Sequence, residues 1–154
     1  MEQLQQAIEM RRDGKIEESI KILESIPDKD GRIYFECGWN YSVLDNANEA
    51  IKYYELAIEL ELPKELKQKA YMDLGFNYFS LHRYEEAEQI LYNGIGKFHD
   101  SEAFRAMLAV VRYKLGDSRE GMIVLMQLLL ELYPNPSKEI AKYRTELMHY
   151  VQQR

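Results

Sequence analysis

The chain has 154 residues, 46% hydrophobic and 30% charged, with only 4 Pro and 8 Gly, which excludes a disordered or fibrous chain and leaves room for one ordinary domain or a short repeat array. Its net charge of −6 and pI near 5.2 argue against nucleic acid or an anionic membrane as partner, since both are held by clustered Lys and Arg that displace counterions. The single cysteine, Cys37, can close no internal disulfide and has no companion at C-x-x-C spacing, so no metal is expected and a reducing compartment fits best.

The opening stretch MEQLQQAIEMRRDG lacks the basic region and apolar core of a secretory leader, and no apolar run approaches the ~20 residues that span a bilayer. A cytoplasmic protein is expected. Self-similarity organises the rest. The small residue that follows an acidic one recurs as Ser19, Ala50, Ala87 and Gly121, at intervals of 31, 37 and 34 residues. Each recurrence anchors a predicted pair of helices, and together they form a single domain over 1–154.

The first pair is expected over 1–30, with Gln3, Gln6, Ala7 and Met10, a turn at RRDGK, then Ser19 and Leu23. Glutamine at two leading apolar positions marks it as an atypical end unit. The second, over 31–67, reads Tyr34, Cys37, Gly38 and Tyr41, a turn at LDNAN, then Ala50, Tyr54 and Ala57. The third, over 68–101, reads Tyr71, Leu74, Gly75 and Tyr78, a turn at LHRYE, then Ala87, Leu91 and Gly94. The fourth, over 102–135, reads Arg105, Leu108, Ala109 and Arg112, a turn at KLGDS, then Gly121 and Leu125. Of the four turns, LHRYE offers the poorest capping chemistry, because the others supply Asp, Asn or Gly. Over 136–152 one more helix is expected, with Asn135 as N-cap and Pro136 at its first position. Its residues Ile140, Tyr143, Leu147, Tyr150 and Val151 share a face that would cover the open end of the stack.

The residue types have a physical reason. A glycine inside a helix costs roughly 0.5–1 kcal/mol relative to alanine, so the recurrence of Gly38 and Gly75 in GWNY and GFNY calls for close helix approach. The aromatic residues fill the space beside the small ones.

This register resembles the tetratricopeptide repeat superfamily over essentially the whole chain. The stretches YYELAIELEL, AYMDLGFNYFSLHRYEEAEQIL, AFRAMLAVVRYKLGDSREGMIVLMQLLLE and IAKYRTELMHYV look further like the bacterial group 5 tetratricopeptide repeat proteins. The resemblance implies an all-α, right-handed superhelical solenoid of helix pairs. Its inner groove, lined mainly by the first helix of each pair, binds peptides or protein segments, and the subgroup brings no catalytic residues. Relatives that clamp a C-terminal carboxylate place Asn directly after the repeat glycine. Here those positions hold Ile8, Trp39, Phe76 and Val110, so that specialised mode is not expected.

On the groove side the register places Leu4, Ile8 and Arg11, then Phe35, Trp39 and Ser42, then Met72, Phe76 and Phe79, and finally Ala106, Val110 and Tyr113. Because Tyr34, Cys37, Gly38 and Tyr41 already form one apolar stripe, the first helix of the second pair is apolar on two faces. Two roles stay open for the second stripe. Neighbouring first helices could bury it between them, or Phe35, Trp39, Met72, Phe76, Phe79 and Tyr113 could grip a ligand, since aromatic side chains and methionine are enriched at interface cores. Asn40 and Asn77 follow the aromatics and would either satisfy contacts between helices or touch a peptide backbone.

No other constellation carries chemistry. His82, His99 and His149 are scattered, His99–Asp100 has no further His or Asp partners, and Cys37 sits at a packing position. The carboxylates of IEES, YEEAE and IELEL read as solvated helix faces. The expectation is a non-catalytic module, without cofactor, that binds a protein or peptide segment in an apolar, aromatic groove. The alternative is a homo-oligomer whose groove or end-cap face is buried against another copy.

Overall fold

A computed structural model describes residues 2–99, 101–132 and 149. Among them eight helices and no strand occur: α1 (Glu2–Arg12), α2 (Ile16–Ser25), α3 (Gly31–Val43), α4 (Ala47–Glu59), α5 (Lys64–Ser80), α6 (Tyr84–Lys97), α7 (Glu102–Lys114) and α8 (Ser118–Leu132). The fold is all-α, and each of the four predicted segments contains two helices. The expected helix over 136–152, with its cap at Asn135, lies outside the described residues apart from His149. The chain forms two compact units, Met1–Ile90 and Leu91–Arg154, and the division falls within α6.

The four turns inside the pairs are built alike. Gly14, Asp45, His82 and Gly116 all have positive φ, at 79°, 54°, 59° and 88°, and they repeat at the intervals of the small-residue anchors. At each turn the amide of the left-handed residue donates three residues back, to Arg11, Ser42, Phe79 and Tyr113. The next amide donates five residues back, from Lys15 to Met10, Asn46 to Tyr41, Arg83 to Tyr78 and Asp117 to Arg112, at 2.8–3.0 Å. That double bond is the Schellman closure of a helix C-terminus. His82 therefore fills a position that glycine or an Asx residue fills elsewhere, and LHRYE turns by the same geometry as its better-capped counterparts. Asn46 and Asp117 then cap the following helices by accepting from the amides of Glu49 and Glu120, both at 3.3 Å.

The small anchors do what close packing requires. A Cβ on Gly38 would lie 2.9 Å from the ring of Tyr54, and one on Gly121 would lie 2.7 Å from the carbonyl oxygen of Ala109. Ala50, Tyr54 and Ala57 have no exposed surface, so α3 and α4 meet at near contact of backbone and ring.

A second feature recurs between successive pairs. The motif tyrosine of one first helix reaches back to the preceding second helix: Tyr41 Oη donates to Glu24 at 2.8 Å, and Tyr78 Oη donates to Glu55. In the second unit the same two register positions hold Arg112 and Tyr92, and the guanidinium lies 5.1 Å from the ring centre. The chemistry changes while the tie persists. Tyr53 adds to the first of these by stacking on Tyr41 at 5.4 Å and donating to the same Glu24 oxygen at 3.2 Å.

Candidate functional site: a cavity between successive first helices

In the first unit a cavity of about 500 Å³ opens beside α3 and α5. Trp39, Ser42 and Val43 line it from α3, Ala47 and Tyr54 from α4, Lys69, Asp73, Phe76, Asn77 and Ser80 from α5, and Asp45 and Leu81 from the turns that follow α3 and α5. Its apolar rim is Val43, 50% exposed, and Phe76, 51% exposed.

Trp39 is half-buried and braced from both neighbouring first helices. The Arg11 guanidinium of α1 lies 3.6 Å from its ring centre, and Lys69 Nζ of α5 lies 4.5 Å away. Each cation has an acidic partner of its own. Arg11 pairs with Glu36 at 2.5 Å, and Lys69 pairs with Asp73 at 2.8 Å, one helical turn along α5. Asp73 Oδ2 also accepts from Tyr54 Oη at 2.8 Å. Burial raises the Glu36 carboxyl above its ordinary value, with Arg11 opposing the shift. Burial and the Asp73 carboxylate together raise the Tyr54 hydroxyl, which stays a donor.

The two asparagines of GWNY and GFNY have different partners. Asn40 is fully buried and donates to Ser19 Oγ at 2.7 Å, and Ser19 passes the bond to the Ala7 carbonyl at 2.7 Å. At the register position of Ser19 the next pair has Ala50, which offers no hydroxyl. Asn77 therefore turns to Ser42 Oγ at 3.0 Å and to the Asp73 carbonyl at 2.7 Å, at the wall of the cavity.

The expected groove residues thus have different surroundings. Trp39 and Phe76 line the cavity together with Asn77. Phe35 is in the core with no exposed surface, edge-on to Trp39 at 5.8 Å and to Tyr54 at 5.7 Å. Met72 is half-buried and Phe79 packs on Tyr84 at 5.3 Å; neither lines the cavity. Tyr113 belongs to the second unit, on α7, and is 62% exposed. The cavity also takes in Lys69, Asp73 and Asp45, which the repeat register does not single out. A signal for them exists, because Lys69, Asp73, Phe76, Asn77 and Ser80 follow one another at helical spacing, a stripe one residue round from Met72, Phe76 and Phe79. Cys37 is fully buried, and desolvation pushes its thiol up to about 12, where it is no nucleophile at neutral pH.

Residues 31–62, which are α3, α4 and their flanks, match the family model of the tetratricopeptide repeat. The chain carries the tetratricopeptide-repeat fold. Solved tetratricopeptide structures superpose on nearly all of it. A Podosopora anserina protein described as a kinesin light chain with nearly identical TPR-like repeats is 14% identical, with a TM-score of 0.67 over 98% of this chain and 93% of that one. MamA AMB-1 is 20% identical, with a TM-score of 0.68 over 96% of this chain and 82% of that one. In the APC/C hetero-tetramer Cut9–Hcn1 the match is 16% identical with a TM-score of 0.68, covering 98% of this chain and 29% of that one. Among curated proteins none matches the sequence. Among the described residues no helix is long and apolar enough to cross a membrane.

Proposed function

We propose that this tetratricopeptide-repeat chain is a non-catalytic, cytoplasmic protein-interaction module that holds a peptide or helix segment in the cavity of its first unit. The observation that carries this reading is the pair of half-exposed apolar side chains, Val43 and Phe76, on a cavity whose Tyr54 hydroxyl and Asn77 amide already have partners. An apolar anchor can enter without leaving those groups unsatisfied. In this reading Phe76 and the free edge of Trp39 touch the partner, while Phe35 supports Trp39 from the core and Asn40 and Asn77 hold the helices at their spacing. One of the structural neighbours comes from the APC/C hetero-tetramer Cut9–Hcn1, an assembly of proteins, which supports a protein partner here. The test is affinity capture from the native cell with wild-type and Phe76→Ala baits of equal helicity. The wild type should retain a partner that the variant loses, and equal retention would sink the proposal.

Self-association is a second reading, favoured by one observation on α8. Met122, Leu125, Leu129 and Leu132 recur at 3–4-residue spacing and are 67%, 48%, 49% and 56% exposed. By register Leu125 corresponds to Tyr54 and Leu91, both without exposed surface. Light scattering that reports a concentration-independent monomer would exclude this reading.

A further inference from the structure

The charges around the cavity of the first unit narrow the chemistry of its occupant, an inference that rests on the reading of that cavity as a peptide site. Three formally charged residues line it, Asp45, Lys69 and Asp73. Lys69 is committed twice over, to Asp73 Oδ2 and to the Trp39 ring. The pair Lys69–Asp73 cancels, and the remaining formal charge is that of Asp45, an exposed residue in the left-handed turn that follows α3. Among the described residues Asp73 accepts from Tyr54 and from Lys69, both through Oδ2, which leaves Oδ1 as a further acceptor among them. The second cation near Trp39, Arg11, is likewise neutralised by Glu36 and is 90% buried as a side chain, at 10% relative exposure.

The cavity therefore offers carboxylate acceptors in excess of free cationic donors, beside an aromatic face and an aliphatic side chain. A carboxyl or phosphate group would meet an uncompensated negative charge there. An arginine or lysine would not: its methylene stem can lie on Val43 and Phe76 while its head reaches water and carboxylate, and a guanidinium can stack on the Phe76 ring. A volume of about 500 Å³ holds a short run of side chains rather than a whole helix face. The chain's overall charge of −6 would steer a basic segment toward it.

We propose that the occupant of this cavity is a basic, apolar-anchored peptide segment, in which an arginine or lysine pairs with Asp45 and Asp73 and a neighbouring apolar side chain sits between Val43 and Phe76.

A random-peptide display selection on the full chain tests this, with counter-selection on the Val43→Ala/Phe76→Ala variant, whose two changes lie at half-exposed positions and leave the core intact. Trp39 is the only tryptophan and lines the cavity, so its emission reports occupancy directly. The expected result is a set of peptides that need Val43 and Phe76, shift Trp39 emission, and are enriched in Arg or Lys beside apolar residues. Their binding should weaken about two- to fivefold in Asp45→Asn, the effect of one exposed ion pair, and fall further with added salt. Cavity-dependent peptides that are acidic or uncharged would overturn this inference and leave the peptide-binding reading standing. A selection that yields no cavity-dependent peptide would overturn both.

Discussion

Trp39→Ala should cost the first unit about 2.5–4.5 kcal/mol, which makes it a poor probe of binding taken alone. Burying a tryptophan fully is worth about 3–5 kcal/mol in truncation experiments, and Trp39 is only half-buried, which roughly halves that term. The contacts with Arg11 at 3.6 Å and Lys69 at 4.5 Å add about 0.5–1 kcal/mol each at partly solvated sites. Loss of the indole also strips Phe35 of its edge-on neighbour. Urea unfolding followed by far-UV circular dichroism reads the result as a lower midpoint at unchanged slope. Phe76→Ala, at a half-exposed position, should stay within about 0.5 kcal/mol of wild type. A Trp39→Ala variant as stable as Phe76→Ala would show that the brace of two cations contributes nothing, and would refute the reasoning. In a double-mutant cycle, Lys69→Met combined with Trp39→Ala should return a coupling of about 0.5–1 kcal/mol.

The geometry sets two more outcomes. His82→Gly should raise the thermal midpoint, because His82 holds φ 59° where a non-glycine residue costs about 1–2 kcal/mol, and the greater freedom of glycine in the unfolded chain offsets only about 0.5–1 kcal/mol of that; a lowered midpoint would show that the ring contact with Tyr84 at 5.7 Å matters more than the backbone. Glu36→Gln should alter the pH dependence of stability. Burial raises Glu36 above its ordinary value of 4.5, so the folded state holds its proton more tightly than the unfolded chain does. The stability this contributes is fully present below 4.5 and is lost as pH rises through the raised value. Glutamine does not titrate, so wild type should lose stability relative to the variant from acidic toward neutral pH, measured by denaturant midpoints across that window. A difference independent of pH would contradict the account.

The repeat is legible in the order of residues alone. The spacing of Ser19, Ala50, Ala87 and Gly121 locates four helix pairs, and the same intervals locate the four left-handed turn residues, because every pair must reverse its chain at the same distance from its close-packed anchor. Even the weak turn LHRYE conforms, since register there overrides residue preference. Periodicity also puts Trp39 and Phe76 on the side where the cavity lies. It stops short of burial depth. Phe35 and Trp39 are one turn apart on α3 and alike in type, yet Phe35 is sealed by Tyr54, a residue of α4, and Trp39 is held half-open by Arg11 and Lys69 from α1 and α5. Asn40 and Asn77 occupy one register position and bond differently because Ala50 stands on one second helix where Ser19 stands on another. Helical spacing fixes which side chains share a face; only the packing of neighbouring helices decides which of them reach solvent, and those decide what a partner can touch.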